Sequence, residues 1–278
     1  MRRACLVLAA ALLPACEEPP EPVYDDELGV QAIPAEPGSL EGTYALKVIS
    51  ATLVHVPVPG IGDQLGGGVN YRLVRRTWNP DEGFYEQRSQ LCGGFNFEVA
   101  GVTTGSPEST YRAVPESTQE IVRVDHERGT YTAEGHVQLW GIDLPDPLTS
   151  ELPATIEEAA EPPHSDRIYD MDDDGDPGIT LYVSGLVTGE VWAIQRKTVD
   201  TTGLLQGSDQ VLGVATNGYE SLTLGDDIAL YDPNTGSSEP WPDPKESWFE
   251  EVRIDEGSDC DDVMRAEEDG LIHRIRPF

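Results

Sequence analysis

The chain has 278 residues, of which 38% are hydrophobic and 25% charged, and its formal net charge is −33. This length suits one large β domain or two small ones, and the apolar fraction excludes a chain that is disordered throughout. The charge excludes nucleic acid as a partner, because phosphates require a basic face, and it excludes docking of the protein surface on anionic lipid, while it favours bound cations.

The N-terminal residues predict export. Residues 1–3 form a positively charged start, and residues 4–13 form an apolar stretch that is too short to span a bilayer as a stable helix. Residues 1–15 are therefore predicted to be a signal peptide.

The end of this stretch, "LPAC" at 13–16, resembles the lipobox of bacterial lipoproteins, with Pro14 where a small or hydroxyl residue is commoner. The resemblance implies cleavage before Cys16, a lipid on this cysteine and a bacterial outer-membrane lipoprotein anchored through it, on the periplasmic face or at the cell surface. The alternative is an ordinary secretory signal that is cleaved after Ala15.

The exported chain divides into a tether and one domain. Residues 16–38 combine Pro, Glu and Asp with few apolar groups, which predicts a disordered tether behind the lipidated cysteine. Residues 39–278 are predicted to form a single β domain. Two Pro-rich breaks, 144–166 and 232–247, do not separate independent cores and are interpreted as loops.

Alternation of apolar and polar residues with a period of two dominates this domain. In Tyr131–Leu139 the odd positions are apolar or small and the even positions are polar, which predicts a half-buried antiparallel strand. The run after residue 178 alternates likewise and predicts a bent strand or a hairpin that turns near Leu186–Gly189. Further strands are predicted at 43–57, 69–78, 84–91, 95–103, 119–125, 209–216, 219–231 and 247–254.

Helix is scarce in the sequence. One short C-terminal helix is predicted at 259–267, where Ser258 and Asp261 match a capping box, and a helical turn is predicted near Ile156–Ala160. About ten strands without an internal repeat predict an all-β fold, a single antiparallel β-barrel or sandwich, with a lipocalin-like barrel favoured.

The cysteines agree with export. Cys5 leaves with the signal peptide and Cys16 carries the lipid, so Cys92 and Cys260 remain as one pair. In an oxidising compartment this pair predicts a disulfide, and two free thiols are the alternative.

The segment "DMDDDGDPGITL" (170–181) predicts a calcium loop. Alternate aspartates can wrap carboxylates around one ion, and the glycine at 175 permits the turn that closes the loop. The predicted ligands are Asp170, Asp172, Asp174 and Asp176, the last through its backbone carbonyl, with Met171 and Asp173 pointing away from the ion.

This loop is not an EF-hand, because Leu181 stands where the bidentate Glu is needed. Asp143, Asp146, Asp166 or water would complete the shell. The alternative interpretation is an acidic, solvated turn in a chain that holds 51 acidic residues.

The segment 152–196, "LPATIEEAAEPPHSDRIYDMDDDGDPGITLYVSGLVTGEVWAIQR", resembles secreted lipoproteins of myxobacterial type. These share an aspartate loop that runs into "PG(V/I)T", an "SG" step and a "GEV…QR" strand, and the resemblance extends to "SWFEEVRIDEGSDCDDV" at 247–263. The resemblance implies a similar architecture and export of the protein, and it implies no enzymatic activity.

No pattern singles out catalytic residues. The five histidines lack zinc-site spacing, and the chain has no G-x-S-x-G motif. The leading hypothesis is therefore a lipid-anchored, non-enzymatic envelope protein with one structural Ca²⁺ and a barrel that could hold a small apolar ligand. Two alternatives are a hydrolase acting on envelope or extracellular polymer, and a structural or adhesion lipoprotein without a ligand.

Overall fold

The computed structural model describes residues 23–25, 29–55, 62–228 and 237–275. It contains thirteen strands within these ranges: β1 (Tyr24–Asp25), β2 (Val30–Gln31), β3 (Gly42–His55), β4 (Asp63–Asn79), β5 (Phe84–Asn96), β6 (Val102–Gly105), β7 (Ser117–Asp125), β8 (Thr130–Trp140), β9 (Ile179–Gly185), β10 (Gly189–Leu205), β11 (Gln210–Asp226), β12 (Ser237–Pro240) and β13 (Trp248–Ile254). Three short helices accompany them: α1 (Glu108–Ala113), α2 (Ile156–Ala159) and α3 (Cys260–Arg265).

Eight of the strands form a closed antiparallel ring. Around it, β3, β4, β5, β7, β8, β10, β11 and β13 follow one another in chain order, and β13 pairs again with β3. Five of the described strands lie outside the ring: β9 extends the edge of β10, β6 pairs with β9, β12 pairs with β3, and β1 and β2 pair with each other. The prediction of an all-β antiparallel barrel is confirmed.

The ring has two ends, which we name by the direction of its strands. The upper end is where β3, β5, β8 and β11 finish, and the lower end is where β4, β7, β10 and β13 finish. Apolar side chains fill the lower half of the interior, and most are less than 5% exposed. They include Leu40, Tyr44, Leu46, Val74, Tyr85, Val122, Tyr131, Leu205, Val211 and Phe249.

Two segments cover the outside of the barrel. The C-terminal segment with α3 packs Val263 and Ile272 against the outward faces of β3 and β4. The segment between β8 and β9, which contains α2, packs Leu144 and Ala159 against outward residues of β8, β10 and β11. Several ring strands are thus buried on both faces, so their sequences do not show a clean alternation.

A disulfide fixes the C-terminal cover to the barrel. Cys92 of β5 and Cys260 at the start of α3 are joined, with their Cα atoms 5.0 Å apart, as predicted. The capping box of α3 lies one residue later than the sequence indicates: the Asp259 side chain accepts from the Asp261 and Asp262 N–H groups, and Asp262 accepts from the Asp259 N–H.

The boundaries of several predicted strands differ in the structure, and the strands predicted at 209–216 and 219–231 form the single strand β11. Strands were predicted at 84–91 and 95–103, but β5 runs without interruption from Phe84 to Asn96. Gly93 and Gly94 suggest a break, yet they allow close strand pairing beside a bulge opposite Tyr71 and Arg72. A Cβ on Gly94 would lie 2.3 Å from the Val69 carbonyl oxygen.

The N-terminal segment joins the domain earlier than the sequence indicates. Ala32 is 3% exposed, the Ile33 N–H donates to the Leu205 carbonyl at 2.8 Å, and the Gly207 N–H donates to the Ile33 carbonyl at 2.9 Å. Residues 29–38 therefore lie against the lower end of the barrel, because their backbone groups pair with the turn between β10 and β11. The disordered tether predicted for 16–38 does not include them.

Candidate functional sites: the aspartate loop and the barrel interior

The aspartate loop lies between the outer cover and β9 and is closed at its base by backbone hydrogen bonds. The Met171 N–H donates to the Gly178 carbonyl at 2.9 Å, and the Gly178 N–H donates to the Tyr169 carbonyl at 3.0 Å. Within the loop, Asp173 and Gly175 adopt φ values of 59° and 100°. This left-handed region is accessible to Gly and tolerated by Asp, which is why the sequence turns here.

Three carboxylates converge in this loop. Asp170, Asp172 and Asp174 each offer one oxygen, and these oxygens lie within 4.8 Å of one another. The carboxylate of Asp176 is not part of this group, and the Asp176 N–H donates to Asp174 Oδ1 at 3.0 Å. The structure thus brings together the three carboxylates that the sequence predicts, and binding through the backbone carbonyl of Asp176 stays a prediction.

Asp172 ties the loop to its surroundings. Its Oδ2 accepts from the Thr180 N–H at 3.0 Å and from Thr110 Oγ1 at 3.4 Å, so it joins α1 to the start of β9. Its Oδ1 is buried and has no hydrogen-bond partner among the described residues. Burial raises the pKa of Asp172, and the charges of Asp174 and Asp170 act in the same direction.

The donor set suits calcium. Three carboxylates supply hard, charged oxygens of the kind that Ca²⁺ prefers, and a buried carboxylate oxygen without a donor is costly unless a cation compensates it. Asp146, one candidate for completing the shell, accepts instead from the Leu148 and Thr149 N–H groups of its own turn. Neither Asp143 nor Asp166 belongs to the group of three within the described residues.

The other side of the loop faces the barrel. Asp173 is exposed, as predicted, whereas Met171 is 8% exposed and packs in an apolar cluster at the upper end. The cluster comprises Leu91, Tyr111, Val114, Trp140, Met171 and Ile179. The loop and α1 therefore close part of the upper end of the ring.

The barrel interior also contains charged side chains, which the sequence analysis did not single out. In the apolar lower half, Arg76 donates to both carboxylate oxygens of Glu251 at 2.7 and 2.8 Å, and both residues are buried. The guanidinium also donates to Gln87 and to the Tyr131 hydroxyl. This pair balances its own charge inside the barrel.

A second polar group occupies the upper half. His136 Nδ1 donates to Glu120 Oε1 at 2.7 Å, and Gln87 Nε2 donates to Glu120 Oε2 at 2.6 Å. Burial opposes ionisation of Glu120, but His136 and the charge of Arg72 outweigh it and lower the pKa of Glu120 to about 2. Burial and the charge of Arg72 lower the pKa of His136, and the adjacent Glu120 carboxylate acts in the opposite direction.

Arg72 and Lys197 complete this upper group. Arg72 is 2% exposed, and its Nε and Nη2 have no partner among the described residues; burial lowers its pKa to about 10. The ammonium of Lys197 lies 4.3 Å from the centre of the Trp140 ring. Burial and the nearby Arg72 lower the pKa of Lys197 to about 8.

A signal for these residues does exist in the sequence. In "YRLVRR" (71–76), Arg72, Val74 and Arg76 lie on the same face of the strand, because side chains alternate between the two faces. This face therefore carries one apolar core residue and two charged residues. Tyr71 and Leu73 on the other face look like the core face, and they are buried under α3. Because both faces are buried, the alternation alone cannot say which one lines the interior.

Two surface depressions lie at the lower end. One, of about 440 Å³, is lined by the β4–β5 and β7–β8 turns, and the other, of about 650 Å³, is lined by residues 34–37 with His126, Glu127 and Ser208. His126 Nδ1 donates to the Ala35 carbonyl at 2.8 Å. Neither depression is lined by tryptophan together with converging carboxylates, the arrangement that would favour polymer hydrolysis.

Cys16, the predicted lipidation site, lies outside the described residues. Across the part of the chain that the structure describes, no helix is long and apolar enough to cross a membrane.

No family model and no curated protein matches the chain. Among solved structures it is similar to DynF from the dynemicin biosynthesis pathway of Micromonospora chersina, with 11% identity over 86% of this chain and 94% of that chain. The TM-score is 0.28, and a likeness of this degree carries no argument about fold or function.

Proposed function

We propose that this chain is an exported, lipid-anchored envelope protein that binds a ligand and does not catalyse a reaction. The closed eight-stranded ring carries the proposal. A ring of this size encloses a space that side chains fill or that one small ligand shares with them.

The N-terminus supports the anchor. The charged start, the short apolar stretch and the lipobox-like "LPAC" point to a lipid on Cys16, and thus to the outer membrane as the location. A disulfide between Cys92 and Cys260 fits an oxidising compartment.

The aspartate loop supports a structural calcium ion. Such an ion would neutralise Asp170, Asp172 and Asp174 and would hold the loop against α1 and β9 through the contacts of Asp172. The role would be to fix the closure of the upper end, since Met171 of the same loop packs there.

The interior favours a binding protein over a hydrolase. Its two buried carboxylates, Glu120 and Glu251, are engaged with His136 and Arg76. The same polar residues argue for a ligand with polar groups in the upper half, in place of the wholly apolar ligand that the sequence suggests.

Metabolic labelling tests the anchor. When the full chain is produced in a bacterium that processes lipoproteins and is given radiolabelled palmitate, the wild type should carry label and sediment with membranes. Cys16→Ser should lose both. Cys5→Ser is the matched control, because this residue leaves with the signal peptide and the label should persist. Label that persists in Cys16→Ser would exclude the lipidation proposal.

A further inference from the structure

The upper half of the barrel interior forms a polar chamber. We define it by Arg72, His136, Gln138, Gln195 and Lys197, which come from β4, β8 and β10. Strand register places them together: Lys197 is directly opposite Gln138, and Gln195 is opposite Trp140. The charge of Arg72 acts on both His136 and Lys197, so β4 faces the same space.

Several buried polar atoms of this chamber have no partner among the described residues. They are Arg72 Nε and Nη2, both amide atoms of Gln138, Gln195 Oε1 and His136 Nε2. Arg72 and Gln138 are each 2% exposed. A buried polar group without a partner destabilises the fold, a charged one most of all, so polar contents in this chamber would be stabilising.

The charges of the chamber residues indicate which class of ligand would bind there. Arg72 and Lys197 bring two positive charges and Glu120 brings one negative charge, which leaves an excess of at least one positive charge. The other buried cation of the interior, Arg76, is balanced by Glu251. The chain as a whole has a net charge of −33, yet the chamber has an excess of positive charge. A buried charge without a counter-charge is unfavourable, and a bound anion would compensate it.

Exposure decreases from the rim of the barrel to the chamber. Tyr219 on β11 is directly opposite Lys197, and its ring centre lies 5.9 Å from the ammonium. Tyr219 is 49% exposed, Lys197 is half-buried, and Gln138, opposite Lys197 on β8, is fully buried. A small molecule that passes Tyr219 would thus meet Lys197 before it reaches Gln138 and Arg72.

We propose that the chamber binds a small oxyanion, a carboxylate or a phosphate, with Arg72 and Lys197 as counter-charges and Gln138 as a hydrogen-bond donor. The proposal rests on the proposed function, of which it specifies the ligand class. Arg72 can engage two oxygens with its planar fork, and Lys197 at the rim supplies a mobile point charge.

Binding of acetate and of inorganic phosphate to the purified exported domain, measured by calorimetry at constant low ionic strength, tests the proposal. Acetamide, which matches acetate in shape without its charge, should not bind. Whichever oxyanion binds more tightly identifies the head group. Lys197→Met should weaken binding by at least about tenfold, the value of one charge-assisted hydrogen bond. It should not lower the melting temperature, because the buried ammonium is a cost to the fold.

Arg88→Met is the matched control. Arg88 is exposed on the same ring, and its replacement removes one positive charge without touching the chamber. It should bind the oxyanions as the wild type does. Equal weakening by Arg88→Met and Lys197→Met would show that net charge alone is responsible and would overturn the proposal.

The pH dependence gives a second readout. The groups that face Lys197 are Arg72 on β4, Gln138 and His136 on β8 and Tyr219 on β11, with Glu120 behind them on β7. Because the pKa of Lys197 is lowered to about 8, acetate affinity should be highest below pH 8 and should fall as the pH rises through this value. Acetate stays ionised over this range, and the fall should be absent in Lys197→Met.

Two outcomes separate this proposal from the proposed function. Binding of nile red, a neutral apolar probe, without binding of acetate or phosphate would keep the barrel as a binding protein and would overturn the oxyanion. Binding of none of these probes would contradict both.

Discussion

At the scale of single residues, Asp172 connects the aspartate loop to the rest of the fold, because its Oδ2 accepts from both the Thr180 N–H and Thr110 Oγ1. The spacing of Asp170, Asp172 and Asp174 predicts their convergence, because alternate residues of a tight turn point to one side. The buried position of the Asp172 carboxylate follows from the contacts of its Oδ2 with Thr180, in the same segment, and with Thr110, 62 residues away in sequence. No local pattern encodes the contact with Thr110.

Calcium dependence is the prediction at this scale. Millimolar calcium should raise the melting temperature of the wild type, because extracellular loops of this kind bind in the range of roughly 10⁻⁴–10⁻³ M and an ion that binds only the folded state stabilises it. Asp172→Asn combined with Asp174→Asn should abolish the rise. Thermal unfolding with calcium and with chelator measures it.

Asp173→Asn is the control for this experiment. It removes one negative charge from the same loop, its side chain is exposed, and Asn tolerates the positive φ of this position. It should keep the calcium response. A wild type whose melting temperature is the same with calcium and with chelator would contradict the calcium site.

At the scale of secondary-structure elements, the sequence predicts the positions of several elements better than the faces that they bury. The strand at 131–139 is found as β8, the hairpin near Leu186–Gly189 joins β9 to β10, and the C-terminal helix is α3. The predicted solvated face of β8 is wrong for His136 and Gln138, which are buried in the barrel interior. The helix α1, within "PESTYRAV", was not predicted, because six residues are too few to establish a helical period. Its buried Thr110 and Tyr111 are held by tertiary contacts with the upper end.

The disulfide gives the prediction at this scale. The helix α3 is six residues long and cannot persist alone, so its position depends on Val263 packing and on the bond to Cys92. The bond closes a loop with a sequence separation of 168 residues. Cys92→Ser combined with Cys260→Ser should lower the free energy of unfolding by about 2–5 kcal/mol.

Denaturant unfolding of the exported domain measures this loss. Backbone amides of α3 should exchange with solvent faster than those of β4 in the double variant. The wild type treated with reductant serves as control and should match the variant. Equal stability with and without reductant would argue that the bond does not support the fold.

At the scale of the whole molecule, the sequence predicts the fold class, but it does not predict that the sheet closes into a ring. Strand number and alternation predict a barrel or a sandwich, and the choice between them is made by β13 pairing with β3, across about 200 residues of chain. The polar chamber has the same origin, because Arg72, His136 and Lys197 meet only when the ring is closed. Local periodicity contains no information on such long-range pairing.

The net charge gives the prediction at this scale. Because the 278-residue chain has a net charge of −33, repulsion between carboxylates opposes the compact state. Raising sodium chloride from 0.01 to 0.15 M shortens the screening length from about 30 to about 8 Å and should raise the melting temperature of the calcium-free protein. Sucrose at equal osmolality is the control and should produce a smaller rise, whereas a melting temperature that falls with salt would show that attractive ion pairs dominate.

The closure by β13 has a consequence for shortened chains. β13 is the last strand of the ring, and it pairs with β11 on one side and with β3 on the other. A chain that ends before Trp248 would therefore leave two long strands with unpaired backbone groups, in a sheet that otherwise offers its ring no free edge. Such edges recruit strands from other molecules, so loss of this one short strand should promote association between copies of the chain through exposed sheet edges.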